Sequence, residues 1–433
     1  MSEASIILLL VYLFTILLAA TEIVPLSMSA LIGALLTVWF GIQYGGVTPY
    51  ELIDLNSMFS ILGLIIGTMI VVEVARKSDV FHFGALYAVK LSGGSPAKLF
   101  VAICVISAAA SLFLSDSTAM LLMAAAVVTI SKLLQYDPLP YFLSSVIMIN
   151  LGGTSTLIGS VSNMAIGVQA EMSFTEFLIY LTPCELALWA LMIIVLYKIF
   201  KPRLGQKKEL PTYNPWEVVK DKRRFRRSSF VLFLLIILFL AMERLEIRPD
   251  VTIGPEIIAL GCAVFALTIS GFDPAEIFRE IDWETVFFVA GFLVIVSGLT
   301  LRIHGESSIL EEVSNLILNI AGRNDLLLTM MTLWFSGLAS TVVSNIAVAL
   351  TFAPLIGNMG ASRAVWSALV LGTNLGGATT PFSSAACVMA AGALKREGIP
   401  LSFAEFTKIG AITSLIQLTF SSIYLILRFG LVM

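Results

Sequence analysis

The tetrapeptide Asn-Leu-Gly-Gly occurs twice, at Asn150–Gly153 and at Asn374–Gly377, each time within an apolar run long enough to cross a bilayer. The match extends: Asn150-Leu-Gly-Gly-Thr-Ser-Thr156 aligns with Asn374-Leu-Gly-Gly-Ala-Thr-Thr380. Three more pairs follow in the same order with nearly the same offset. They are Ser115-Asp116 with Ser344-Asn345, Ser173-Phe-Thr-Glu-Phe177 with Ser402-Phe-Ala-Glu-Phe406, and Thr48-Pro-Tyr-Glu51 with Asp273-Pro-Ala-Glu276. This pattern predicts two homologous halves, residues 1–200 and 229–433, joined by a basic linker at 201–228.

Hydrophobic residues make up 58 % of the 433-residue chain and charged residues 13 %. A soluble domain carries about 25 % charged residues. The composition argues against a soluble enzyme, a nucleic-acid binder and a disordered chain, and for an all-α polytopic membrane protein with the lipid bilayer as its main partner. No P-loop, nucleophile elbow or zinc-protease helix is present, so an enzyme is not expected. Cys104, Cys184, Cys262 and Cys387 are scattered in apolar runs and read as core residues. His82 and His304 have no partner at metal-ligand spacing, so no resident metal or organic cofactor is expected.

Apolar runs lie at about 5–20, 26–43, 57–75, 97–134, 139–168 and 176–200, then at 229–242, 252–270, 284–301, 326–358, 364–393 and 403–427. The runs 97–134 and 326–358 are interrupted by polar tips, Ser115-Asp116-Ser117 and Ser344-Asn345. Their limbs are short for a span of about 20 residues, so re-entrant hairpins are expected ahead of paired full spans. Each half then crosses five times. Ten of the 26 Lys and Arg residues lie in 201–228, which places that loop in the cytoplasm. Tracing outward puts every Lys on that side and leaves only Arg244, Arg248, Arg302, Arg323, Arg363 and Arg428 on the other. An odd number of crossings inverts one half relative to the other, a pattern of secondary transporters.

A Gly-Gly pair in an apolar helix costs about 1 kcal/mol per glycine, so segments 139–168 and 364–393 are expected to break near their middle and restart on hydroxyl caps. Close helix packing is the other use of such glycines. A break lining a cavity offers bare carbonyls to a cation and half-helix N-termini to an anion. Paired with the hairpin tips, the first cluster is Ser115, Asp116, Ser117, Thr118, Asn150, Gly152, Gly153, Thr154, Ser155, Thr156 and Asn163. The second is Ser344, Asn345, Asn374, Gly376, Gly377, Thr379, Thr380, Ser383 and Ser384. An acid inside a membrane segment is functional by default, which makes Asp116 the candidate carrier of a proton or Na⁺; Glu22, Glu73 and Glu185 are lesser candidates. Its repeat mate is the neutral Asn345.

Hairpins with these tips, the two Asn-Leu-Gly-Gly segments and the trailing Ser-Phe-x-Glu-Phe resemble the ion transporter superfamily, in particular the branch of arsenite permeases (ArsB), NhaD Na⁺/H⁺ antiporters and the melanosomal P-protein. Divalent anion/Na⁺ symporters are more distant. The resemblance implies an elevator-type secondary transporter, a homodimer with a scaffold domain and a sliding transport domain, in the plasma (inner) membrane of a prokaryote. Where the antiporters carry Gly-Asp-Pro-Pro-Asn, this chain has Gly159-Ser-Val-Ser-Asn163, and Cys387 takes the repeat position of Asn163. Export of arsenite or another inorganic anion leads the expectations. Na⁺/H⁺ antiport and Na⁺-coupled uptake of a dicarboxylate such as citrate or succinate follow, with Na⁺ or H⁺ as the coupling ion. A passive channel or membrane enzyme is the alternative of another class.

Overall fold

The computed structural model describes residues 3–21, 23–207, 214–241, 253–303, 306–321, 324–396, 398 and 402–430. Glu22, His304, Arg244, Arg248 and Arg323 lie outside them. Over their described residues the apolar runs of the sequence fall in helices or pairs of helices, and the described residues contain no strand. The first half holds α1 (Glu3–Thr21), α2 (Leu26–Gly45), α3 (Leu55–Lys77), α4 (Val80–Ser92), α5 (Pro96–Ser111), α6 (Asp116–Leu134), α7 (Leu139–Thr154), α8 (Val161–Gln169), α9 (Phe174–Tyr180) and α10 (Thr182–Phe200). The second holds α11 (Lys222–Ala241), α12 (Pro255–Ser270), α13 (Pro274–Glu280), α14 (Trp283–Thr300), α15 (Ile309–Ala321), α16 (Asp325–Ser340), α17 (Asn345–Asn358), α18 (Arg363–Gly376), α19 (Ala385–Arg396) and α20 (Phe403–Phe429).

Local chemistry sets many of the boundaries. Asp54, Asp282 and Asn324 accept hydrogen bonds from the first free amides of α3, α14 and α16. The repeated Ser-Phe-x-Glu-Phe is a helix start in both halves: Ser173 and Glu176 form a capping box on α9, and Ser402 accepts from the Glu405 amide on α20. The short helices α4, α13 and α15 lie outside the apolar runs of the sequence reading. Amphipathic α15 turns buried Ile309, Leu310 and Ser314 inward and leaves Leu316 and Ile320 exposed.

Two packing groups result. In one, α1 and α14 flank α2, and α3 packs on α12. Gly67 meets the backbone of Ala259 in that pair, so the small face formed by Gly63 and Gly67 is used for close packing. In the other, α5 packs on α7 and α16 on α18, with α8 against α17 and α19 against α6. Leu13, Leu17, Leu35, Trp39 and Leu427 are exposed on the outer helices, where lipid would cover them. Of the described helices, α1, α2, α3, α14 and α20, together with α10 and the turn that follows it, are long and apolar enough to cross a membrane. The limbs α5, α16 and α17 are shorter. The 16 residues of α16 rise about 24 Å against about 30 Å of hydrocarbon.

The basic segment is partly helical, since α11 begins at Lys222, inside the expected linker. Arg203 reaches Asp137 at 2.7 Å and Glu405 at 3.1 Å. Arg224 and Arg227 donate to the Gly271 and Ile269 carbonyls, and Trp216 and Phe225 pack with Phe83 of α4.

Candidate functional site

Each half brings a helix pair with a short polar tip against a helix that stops and restarts. In the first, α5 turns into α6 at Ser115-Asp116, and α7 ends at Thr154 before α8 starts at Val161. In the second, α16 turns into α17 at Ser344-Asn345, and α18 ends at Gly376 before α19 starts at Ala385. One bond recurs at equivalent positions to hold tip and break together. Thr156 Oγ1 donates to the Leu112 carbonyl at 2.7 Å, and Thr380 Oγ1 donates to the Thr341 carbonyl at 3.0 Å.

Inside the breaks the bare carbonyls are collected by one side chain per half. Asn163 Nδ2 donates to the carbonyls of Gly153 at 2.8 Å and Thr156 at 2.7 Å. In the second half Ser383 Oγ spans the carbonyls of Gly377 at 2.8 Å and Thr380 at 2.7 Å, and Cys387 Sγ lies 3.5 Å from the Gly377 carbonyl. The halves then cross. Asn374 Nδ2 donates to Asn163 Oδ1 at 2.7 Å, and its own Oδ1 accepts from Ser162 Oγ at 2.9 Å. Asn150 repeats the helical part of this, with Nδ2 on the Val146 carbonyl at 3.0 Å. Its Oδ1 faces Gly377 but has no hydrogen-bond partner among the described residues. The sequence supplies the reason: Ala386 and Cys387 stand at the repeat positions of Ser162 and Asn163.

Asp116 sits at the junction of the halves, 9 % exposed, in the first turn of α6 where the positive helix end favours an anion. Ser111 Oγ donates to its Oδ1 over a long 3.4 Å. Asn345 from the opposite tip lies against it without the alignment of a full hydrogen bond, and Cys387 is also within electrostatic reach. Among the described residues the carboxyl has no basic partner. Any Cβ on Gly153 would press on Asp116 Oδ1 at 3.0 Å.

Several expected site residues do other work. Gly152, Gly153 and Gly376 remain helical, so the first break falls after its glycine pair and the second begins at Gly377. A Cβ on Gly152 would overlap the Ala108 carbonyl, and one on Gly376 would overlap the Gly337 carbonyl, so both glycines serve close packing. Thr154 and Ser155 do not cap a restarting helix; they bond back to the carbonyls of Asn150 and Leu151. Thr379 turns away to Ser414 of α20 at 2.9 Å. Ser115 bonds Thr118, Ser344 caps its own helix, Ser384 donates to Cys387, and Ser117 stays half-buried at the first tip. Glu73 is held by two bonds of 2.7 Å to Arg76, three residues along the same helix.

Comparison with known proteins decides the family. The family model described as citrate transporter matches residues 16–371. The chain belongs to the citrate transporter family. A 46 kDa membrane protein of Mycobacterium leprae is 28 % identical over 98 % of this chain and 99 % of its own length. An uncharacterized transporter of Mycobacterium tuberculosis is 26 % identical over 98 % of this chain and 99 % of its own. The magnetosome protein MamN of Paramagnetospirillum magneticum is 26 % identical over 81 % and 79 %. Among solved structures, the YdaH transporter of Alcanivorax borkumensis superposes with a TM-score of 0.63 at 15 % identity, covering 94 % of this chain and 99 % of that one. That likeness concerns the fold alone. The family and its relatives make this a multi-pass membrane transporter.

In this citrate transporter family member, a small cavity of about 30 Å³ adjoins the first tip, bordered by Ser115, Thr118, Gly159, Ser160 and Glu73. It has room for about one water. A wider cleft of about 390 Å³ shares Thr118, Glu73 and Glu280 with it and runs past Arg76 and His82. Ser111, Ser160 and Ser162 are site neighbours that the sequence reading left out. A signal for Ser162 was present, since it directly precedes Asn163. Ser111 had a weaker one, as the repeat mate of Ser340, which bonds the Thr373 carbonyl at 2.6 Å. Among the described residues no group of three or more His, Cys, Asp or Glu side chains could hold a metal ion.

Proposed function

We propose that this protein is an ion-coupled secondary transporter of a citrate-type polycarboxylate, in which Asp116 carries the coupling proton or Na⁺. The observation that carries the reading is the junction itself: an acid without a basic partner and an unspent amide oxygen, Asn150 Oδ1, lie where two tips and two broken helices meet. The amides and hydroxyls of the breaks supply neutral ligands for carboxylate groups, and the starts of α8 and α19 add positive helix ends. The family description favours a carboxylate over arsenite as the substrate.

On this reading residues 1–200 and 229–433 are inverted halves, 97–134 and 326–358 are re-entrant hairpins, and 201–228 faces the cytoplasm of a prokaryotic cell. The cleft beside Arg76 and Glu280 is then the cytoplasmic approach to Thr118. The group containing α5–α8 and α16–α19 moves as the elevator against a dimeric scaffold built on α2, α3, α12 and α14.

The experiment is thermal stability of the purified protein with NaCl, KCl or choline chloride, combined with citrate, succinate, arsenite or sulfate, at two pH values. Ligand at a hundred times Kd stabilises by about 2.7 kcal/mol. Stabilisation by citrate that depends on Na⁺ or on low pH supports the reading. A response to arsenite without Na⁺ would replace it with anion export, and a response to Na⁺ alone that weakens in acid would replace it with Na⁺/H⁺ antiport.

A further inference from the structure

Glu185 is a carboxyl that the site above does not use. It sits one turn into α10 and is fully buried, and neither carboxyl oxygen has a hydrogen-bond partner among the described residues. It lies between two fully buried leucines, Leu181 at the N-cap of α10 and Leu188 one turn further along the helix. The same end of α10 touches the first break, because Thr182 Oγ1 donates to the Ser155 carbonyl at 2.8 Å.

Among the described residues no ion pair reaches it. Cys184 beside it faces Ser421 of α20 at 3.8 Å, and Tyr424 of α20 is within electrostatic reach but donates its hydroxyl to the Tyr180 carbonyl at 2.9 Å. Arg428 of α20 lies over the Tyr180 ring of α9, and Glu176 of α9 is paired with Arg363. Cys104 of α5 and Tyr141 of α7 are neutral groups, and the Tyr141 hydroxyl has no hydrogen-bond partner among the described residues. Arg203, in the turn after α10, is held by Asp137 and Glu405. A carboxylate in such surroundings, with no cation, is far costlier than a carboxylic acid. Buried donors without a partner among the described residues include Trp189 Nε1 one turn along α10, and Gln417 Nε2 on the stripe Ser414, Gln417, Ser421, Tyr424 of α20, a helix that packs on α10. Neither bonds Glu185 in this state, and both are of the type that would stabilise its anion after a small shift of α20 against α10.

We propose that Glu185 is a second proton-binding site, loaded in the state seen here and discharged to water when α10 and α20 shift. The proton leaves as hydronium and returns by the reverse step, with no other bond made or broken. This rests on the coupled-transport reading, but its first test does not.

Infrared spectra of the purified protein at neutral pH should show a protonated-carboxyl band that E185Q lacks and D116N retains. In liposomes loaded with a pH-sensitive dye and given citrate as the probe, E185Q should move one proton fewer per citrate than the unaltered protein. The isosteric E185Q removes a buried acid without removing volume, so it should fold; a matching melting curve confirms that. Absence of the band, or its survival in E185Q, overturns the proposal. So does a missing band in E185Q with unchanged proton count, which makes Glu185 a structural acid. If the unaltered protein moves no citrate, the substrate reading fails, and the infrared result still decides whether Glu185 holds a proton.

Discussion

The two halves of the junction hold their backbones alike and differ in chemistry. Thr156 and Thr380 tie break to tip in the same way, and Asn150 and Asn374 both anchor on the carbonyl four residues earlier. The differences are Asp116 against Asn345, Ser162 against Ala386, and Asn163 against Cys387. The first half keeps the charge and the full amide network; the second leaves Asn150 Oδ1 unpartnered. The matched sequence segments carry what is shared. Where the copies diverge, an acid has no basic partner and an acceptor has no donor among the described residues, and these are the groups the proposed function assigns to a ligand.

Making the tips identical is the severest test of this asymmetry. D116N would give both halves an amide at the tip, with nearly unchanged volume. Coupled uptake should fall to the level of empty liposomes while the melting curve stays within a few degrees. Full uptake in D116N would remove Asp116 from the mechanism and leave the asymmetry without function.

Removal of Asn163 should affect stability most. N163A frees the Gly153 and Thr156 carbonyls and strands Asn374 Nδ2. A buried unsatisfied group costs about 1–3 kcal/mol, although hydrogen bonds between membrane helices average only about 0.6 kcal/mol. A loss of about 3 kcal/mol is expected, read as a lower melting temperature. C387A should cost less than about 1 kcal/mol, since Ser383 already spans the matching carbonyls. Equal losses would mean the two breaks are held alike after all.

The glycines should show the opposite, equal behaviour. G152A and G376A each force a methyl onto a neighbouring helix carbonyl, Ala108 and Gly337 in turn. Overpacking of this kind costs about 1–3 kcal/mol, and the two variants should match within error. A large difference would show that only one of the helix pairs is closely packed.

Much of this was legible in the sequence. The repeat, the tips and the apolar runs mark features that recur within a few residues of the helices found, because a polar tip in an apolar run and a Gly-Gly pair leave few alternatives in a membrane. The location of the breaks was not legible. Gly152 and Gly376 cost little in helices that need close approach, so the unwinding moved onto 155–160 and 377–384, where Asn163 and Ser383 collect the carbonyls. The crossing of Asn374 onto Asn163 was also hidden, since contacts between residues 211 apart depend on packing that no local pattern encodes. Glu185 was visible only as an acid near a helix start; its isolation appears once α20 is in place.

The smallest expected effect restores one missing donor. A386S adds a hydroxyl at the repeat position of Ser162, whose Oγ donates to Asn374 Oδ1 at 2.9 Å. The equivalent bond would satisfy Asn150 Oδ1 and stabilise the unliganded protein by about 0.5–1.5 kcal/mol. Ala386 is fully buried, so the gain depends on the hydroxyl finding its acceptor. If Asn150 Oδ1 receives a ligand during transport, the same bond competes with that ligand, and the thermal shift produced by citrate should shrink as the resting melting temperature rises. A rise in the resting value with an undiminished citrate shift would mean that Asn150 is merely an unfinished half of a packing motif. The asymmetry that matters would then lie at Asp116 alone.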